Sequence, residues 1–383
     1  MKISEFCLLN GTSLKKNEGK EGYLYLDTAN ITNGVIDSFQ KYGFYEELPS
    51  RARRKVSNNS IVYSTVRPNQ QHFGIITEPP DNLIVSTGFC VIDVDEKIAD
   101  PRYVYYYLSQ SSITKKLHAI AEQATTAYPS IKAKDLGDLE IDLPDLDRQH
   151  EVAQILTSLD KKILLNSAIN DNLQQQAQLT YNISFEKADF HDLPSGWRVV
   201  SLGDVATIST KAFNPQKESI TALEHYSIPA FDENKFPTFE SSSNIKSNKF
   251  IIDSSCFLIS KLNPTTKRVW KPYCLSERAV CSTEFIVYRA KDNSISDFLY
   301  SVIDSQSFTN YMCTHVNGST GSRQRTTPSE TLSYKLLLPS RDVLERFQSM
   351  VSPMYDLIRL NSIENNRLKQ LREALLQKLM SEK

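Results

Sequence analysis

The chain states one pattern twice, and that duplication limits the folds open to it. Ile61-Val62-Tyr63-Ser64-Thr65-Val66-Arg67-Pro68 has a counterpart in Cys256-Phe257-Leu258-Ile259-Ser260-Lys261-Leu262-Asn263-Pro264, with the two prolines 196 residues apart. The same offset sets Ser86-Thr87-Gly88-Phe89 over Ser282-Thr283-Glu284-Phe285 and Ser109-Gln110-Ser111 over Ser305-Gln306-Ser307. With a slip of one residue it carries Leu143-Pro144 onto Leu338-Pro339 and Leu165-Asn166-Ser167 onto Leu360-Asn361-Ser362. Identity is sparse, but the register holds over most of each half. Two such units on one chain predict a pseudo-symmetric molecule with two similar working surfaces.

Each half has the same order, a globular module followed by a long helix. In the first module β-rich runs occur at Asn59–Val66, Leu83–Val94 and Leu139–Leu143. A helix is expected from the Asp100 cap and Pro101 through Ala121, and its copy from Ser296-Asp297 to about Thr314. A short strand ending in Leu-Pro then closes each module, and the period changes to 3.5. Val152, Ile155, Leu159, Ile169 and Leu173 take a and d positions of a heptad, with Asn166 at a and Lys162 at d. The second half repeats this with Phe347, Met350, Met354, Leu357, Leu368, Leu371 and Leu375, with Asn361 at a. Such a seam argues for coiled-coil pairing, and an Asn at an a position fixes register at some loss of stability. Asn166 and Asn361 are therefore the expected register residues.

The fold class expected is α+β. Two similar modules of mixed sheet and helices span 1–146 and 187–340, and helices 147–186 and 341–383 join them as an antiparallel coiled coil about a pseudo-two-fold axis. A helix from Arg148 to Ile183 is ~54 Å long at 1.5 Å per residue, a natural ruler.

Composition narrows the function. No apolar run approaches the roughly 18 residues of a membrane span, and Met1-Lys2-Ile3-Ser4-Glu5-Phe6 lacks a secretory signal, so a cytoplasmic protein with no membrane partner is expected. None of the six cysteines forms a CxxC pair, so no metal site is expected and buried reduced thiols are. A net charge of −1 counts against nucleic-acid binding. The charge is segregated, however. Arg51-Ala52-Arg53-Arg54-Lys55 is densely basic, Lys261, Lys267, Arg268 and Lys271 crowd a second stretch, and residues 135–151 are acidic.

A catalytic reading fails. Gly318-Ser319-Thr320-Gly321-Ser322-Arg323 lacks phosphate-loop spacing, no glycine-rich strand-loop suits S-adenosylmethionine, and the six histidines show neither ligand spacing nor an adjacent nucleophile. What remains is paired loops rich in groups that contact DNA. The first module offers Lys41, Arg51, Arg53, Arg54 and Lys55, then Arg67, Asn69 and Gln70, then Thr125, Thr126, Tyr128 and Lys132. The second offers Lys261, Asn263, Thr265, Lys267 and Arg268, then Ser322, Arg323, Gln324 and Arg325. Arg forks match guanine acceptors and Asn or Gln match adenine, while Lys, Ser and Thr hold phosphates. The reading from a different class is a coiled-coil adaptor with two protein-binding modules and no DNA readout.

With repeat, helix and loops in view, the sequence resembles the specificity subunit of type I restriction-modification systems over essentially its full length. Leu193-Pro194-Ser195-Gly196-Trp197-Arg198-Val199-Val200-Ser201-Leu202-Gly203-Asp204-Val205 is similar to the opening of a target-recognition domain, and the Ser64–Pro68 stretch and its copy to that domain's central motif. Leu338-Pro339 leading into a helix with Asn361 and Leu371–Leu379 is similar to the family's helical region. The resemblance implies a non-catalytic subunit that reads a bipartite double-stranded DNA site, one half per module. It would recruit two modification subunits and the restriction subunits. S-adenosylmethionine, ATP and Mg would belong to those partners, with no cofactor on this chain.

Overall fold

A computed structural model of the chain describes residues 1–16, 22–123, 129–186, 192–317 and 324–381. Two compact units divide it: Met1–Ile163 with Leu368–Lys383, and Leu164–Arg367. Each contains one β-rich module together with part of both long helices.

In the first unit an antiparallel sheet runs in the order Cys7–Leu9, Phe89–Val94, Ser60–Ser64, Phe73–Ile76. A second sheet runs Gln40–Tyr42, Tyr23–Leu26, Leu83–Ser86, Ala52–Lys55, with its two central strands parallel. Val62, Val85, Phe89 and Val91 fill the space they enclose. The second unit repeats the plan. Its antiparallel sheet is ordered Ala206–Ser209, Phe285–Ala290, Cys256–Ser260, Val269–Trp270. Its other sheet is Ala212–Phe213, Lys249–Ile251, Ala279–Ser282, Leu223–Tyr226, Thr238–Glu240, again with a parallel central pair. Strands such as Ser60–Ser64 and Cys256–Ser260 are buried at every position, which explains why they read as apolar runs without alternation.

Two expectations need correction. The helix after Asp100 is two, Pro101–Ser109 and Ser111–Glu122, broken at Gln110, whose ψ of 138° is extended. Its copy breaks in the same place, into Ser296–Ile303 and Gln306–Thr314. There Ser305 accepts from Phe308 N at 3.1 Å and starts a new helix, as an N-cap serine does. Leu139–Leu143 is not a strand either, since Met1 to Ile3 pair with its first three residues alone, through the Lys2–Glu140 bridge, the Met1–Ile141 backbone bonds and Ile3 N donating to Leu139 O at 3.0 Å. In the second module Lys335–Leu338 has a full partner in Arg198–Ser201 and forms a strand.

The long helices are Leu146–Tyr181 and Arg341–Ser381. In the first unit Val152, Leu156 and Leu376 join one core with Ile61, Tyr103 and Leu108. In the second, Ala177, Tyr181, Phe347 and Val351 join one with Phe257, Phe298 and Phe308. Asn166 meets Asn365 while Asn170 meets Asn361. One number rises as the other falls, so the helices pair antiparallel. The a line of the heptad is where expected, with Val152, Asn166, Phe347 and Asn361 buried. The d line is not. Lys162 is exposed, and Met350, Leu357 and Leu371 are 49%, 42% and 47% exposed. The second buried line lies one residue on, through Leu156 and Ala177 on one helix and Val351 and Asn365 on the other. On a helix both i+3 and i+4 flank position i, and here the i+4 side faces the partner.

Candidate nucleic-acid interface

The turn after each central strand builds the same platform. Ser64 Oγ donates to Val66 O at 2.9 Å, and Ser260 Oγ to Leu262 O at 2.9 Å. Thr65 N donates to Gly88 O, and Lys261 N to Glu284 O, at 2.8 and 2.9 Å. Ile131 N returns to Thr65 O and Thr326 N to Lys261 O, at 2.8 and 3.0 Å. Arg67 N reaches Pro129 O, and Asn263 N reaches Gln324 O, at 2.9 and 3.0 Å. Arg67 and Asn263, 196 residues apart in sequence, both hold left-handed backbone, φ 49° and 47°, before a buried proline. That conformation is uncommon for residues other than glycine, and its persistence points to function. The buried Asn263 Oδ1 has no hydrogen-bond partner.

In the first module Arg67, Asn69 and Gln70 are exposed around a short 3-10 turn, Pro68–Gln70, and Lys132 is exposed beyond the segment that pairs with Val66. Thr125, Thr126 and Tyr128 lie outside the described residues. Arg51 is exposed near the platform, its carbonyl accepting from Thr87 N at 2.8 Å. Lys41 is exposed on strand Gln40–Tyr42, and Lys55 is half-buried. Arg53 turns inward, donating to Ala52 O at 2.8 Å with its guanidinium 5.1 Å from the Tyr45 ring centre. Arg54 is half-buried, its Nε has no partner, and burial lowers its pKa. The basic run thus supplies fewer outward cations than its sequence suggests.

In the second module Lys261, Asn263 and Gln324 are half-buried on the platform and Thr265 is exposed beside it. Ser322 and Arg323 lie outside the described residues. Three other cations are gripped by acids. Lys267 Nζ is 2.7 Å from Asp304, Arg268 forms a two-pronged pair with Asp232 at 2.6 and 2.8 Å, and Arg325 Nε is 3.0 Å from Glu284.

The seam of the second unit holds a polar layer. Asn166 Nδ2 donates to Asn365 Oδ1 at 2.9 Å, and Asn361 Nδ2 to Asn170 Oδ1 at 2.9 Å. Asn365 Nδ2 donates to Ser167 Oγ at 3.1 Å, and Asn170 Nδ2 to Ser362 Oγ at 3.2 Å. These four bonds form two symmetry-related pairs. Asn170, Asn365, Ser167 and Ser362 escaped the sequence reading, although the repeat offset applied to Asn170 points straight at Asn365.

Among the described residues no three of His, Cys, Asp and Glu cluster to hold a metal ion. The cysteines are free; Cys90, Cys256 and Cys281 are buried, whereas Cys7, Cys274 and Cys313 are only half-buried. Burial pushes Cys7 and Cys90 up to about 12 and Cys256 to about 11, keeping them as unreactive thiols. No helix among the described residues is long and apolar enough to cross a membrane.

Two homologous α+β modules, each with the same strained polar platform, and two long paired helices define a duplicated recognition protein. Residues 1–175 and 194–373 both match the type I restriction modification DNA specificity domain, and the chain belongs to that family. Its function is accordingly DNA sequence specificity in a type I restriction-modification system. Among its relatives, the HindI specificity subunit of Haemophilus influenzae is 23% identical over 88% of this chain and 89% of its own. The MjaIX specificity subunit of Methanocaldococcus jannaschii is 21% identical over 86% and 82%. The crystal structure of a type I restriction-modification system S subunit from M. genitalium shares the fold, with a TM-score of 0.61 at 16% identity, covering 100% of this chain and 96% of that one.

Proposed function

We propose that each platform is a DNA-reading surface, so that one module reads one half of a bipartite duplex site, and that the helix pair sets the spacer between the halves. The observation that carries this reading is the platform itself, repeated bond for bond in both modules with Arg67 or Asn263 held in left-handed backbone at its apex. Polar side chains with donors and acceptors crowd that apex, which suits base edges and phosphates.

The chain acts without catalysis of its own. Two modification subunits dock along the helices, restriction subunits join that assembly, and S-adenosylmethionine, ATP and Mg are held by those partners. Leu164, Leu165, Met350, Leu357 and Leu360 on the second unit's helix segments are 42–58% exposed, and apolar surface left open on paired helices supports a docking role.

Arg67→Ala and Lys261→Ala test the platforms in the assembled complex. Each weakens duplex binding by about tenfold and lowers its dependence on salt, because a cation that leaves the phosphates no longer releases counterions. Unchanged affinity and salt slope in both variants remove the platforms from the DNA interface and favour a protein-only adaptor.

A further inference from the structure

Resting on the reading of the platforms as DNA surfaces, we propose that Glu284 determines specificity in the second module: with Arg325 it reads one G·C base pair of that module's half-site.

Glu284 lies in the turn between strands Ala279–Ser282 and Phe285–Ala290. Its carbonyl receives Lys261 N and its own N–H donates to Ser282 Oγ at 3.2 Å, so the residue is part of the platform. Arg325 bridges Leu262 on the platform's other side. The carboxylate grips the guanidinium side-on, Nε to Oε2 at 3.0 Å and Nη2 to Oε1 at 3.2 Å. The side chains are 29% and 45% exposed. A pair that open to water adds little to stability, a weak reason to place two charges on a recognition surface.

Recognition is a better one. A guanidinium is planar, so a grip along its Nε–Nη2 edge turns the Nη1–Nη2 edge away from the carboxylate, as a fork for guanine O6 and N7 requires. The half-exposed Glu284 oxygens accept from the cytosine N4 amino group of the same pair. The carboxylate also fixes the angle of the fork it holds.

The first module is built differently here. The repeat offset places Gly88 opposite Glu284, and a Cβ on Gly88 would meet Thr28 Cγ2 at 2.9 Å. Any side chain there would have to displace the Thr28 methyl, and the first module carries no carboxylate at this place. The two modules share a platform backbone and differ in what it presents, which predicts unlike half-sites.

The test is methylation sequencing of a random-flank library by the complex assembled with its modification subunits. Glu284→Gln keeps the shape and removes the charge, and Arg325→Lys keeps the charge and removes the fork. Each should relax the same single position of the second half-site, with roughly ten- to a hundredfold loss of discrimination for G·C and no change in the first half-site. Thermal unfolding of both variants should match the parent, separating this from a structural role. A methylated motif unchanged in both variants, while Lys261→Ala still weakens binding, overturns the assignment of Glu284 alone. No effect on DNA from any of the three overturns the platform reading with it.

Discussion

Arg372 on the second long helix places Nη1 2.9 Å from Asp160, and Tyr106 donates to the other Asp160 oxygen at 2.8 Å. Their side chains are only 18% and 24% exposed, so removing either leaves a poorly hydrated charge behind. Arg372→Ala is expected to cost about 2–4 kcal/mol, measured by urea unfolding. Adding Asp160→Ala should recover part of that loss, because the orphaned carboxylate goes too. This pair shows why single residues were the least legible part of the sequence. The partners of Lys267, Arg268 and Arg325 lie 36 to 41 residues away along the chain. Composition shows such cations without their acidic partners, and only the fold pairs them with Asp304, Asp232 and Glu284. Arg67 and Asn263 were legible because the repeat placed them together.

At the scale of elements, the 3.5-residue period announced paired helices and placed both buried asparagines. It did not choose between the two flanks of the a line. Apolar residues at Ile155, Ile169, Met350 and Leu357 favoured d, but the seam prefers the smaller or polar Ala177, Asn170 and Asn365 at e. Helices approach closely where side chains are small, and the asparagines there satisfy one another. The second of the two helix breaks was likewise written in Ser305-Gln306-Ser307, where Ser305 caps the new helix, whereas at Ser109-Gln110-Ser111 the helix breaks with no side-chain cap. Asn365 receives from Asn166 and donates to Ser167, so Asn365→Leu takes an acceptor from the buried Asn166 and a donor from the exposed Ser167 at once. It should destabilise the chain by about 1–3 kcal/mol, seen as a lower denaturation midpoint. Asn166, Asn170, Asn361 and Asn365 all changed to Leu should reverse the sign, since an apolar seam of that volume is the more stable and less specific one.

For the whole molecule, duplication was the most legible property, because two copies of one backbone plan need only shared register and not shared side chains. The strand orders of the two units agree apart from the extra edge strand Ala212–Phe213 in the second, even though Leu139–Leu143 and Lys335–Leu338 differ in pairing. If the helices set the spacer, lengthening both in step must lengthen the site. Residues 164–170 and 359–365 correspond under the repeat offset and carry all four seam asparagines, so duplicating both stretches adds one heptad while repeating the seam pattern. Seven residues add ~10 Å of helix, about three base pairs at 3.4 Å each. Three base pairs also turn the second half-site by roughly a quarter turn or more on a duplex of 10–10.5 base pairs per turn. Twisting the DNA back into phase costs energy, so binding should weaken even as the site changes. Methylation sequencing of the assembled complex should then find both half-sites intact, a spacer about three base pairs longer, and slower modification. An unaltered spacer would mean that the distance between half-sites is set by the DNA or by the partner subunits, with the asparagine layer serving only to hold the two helices in one register.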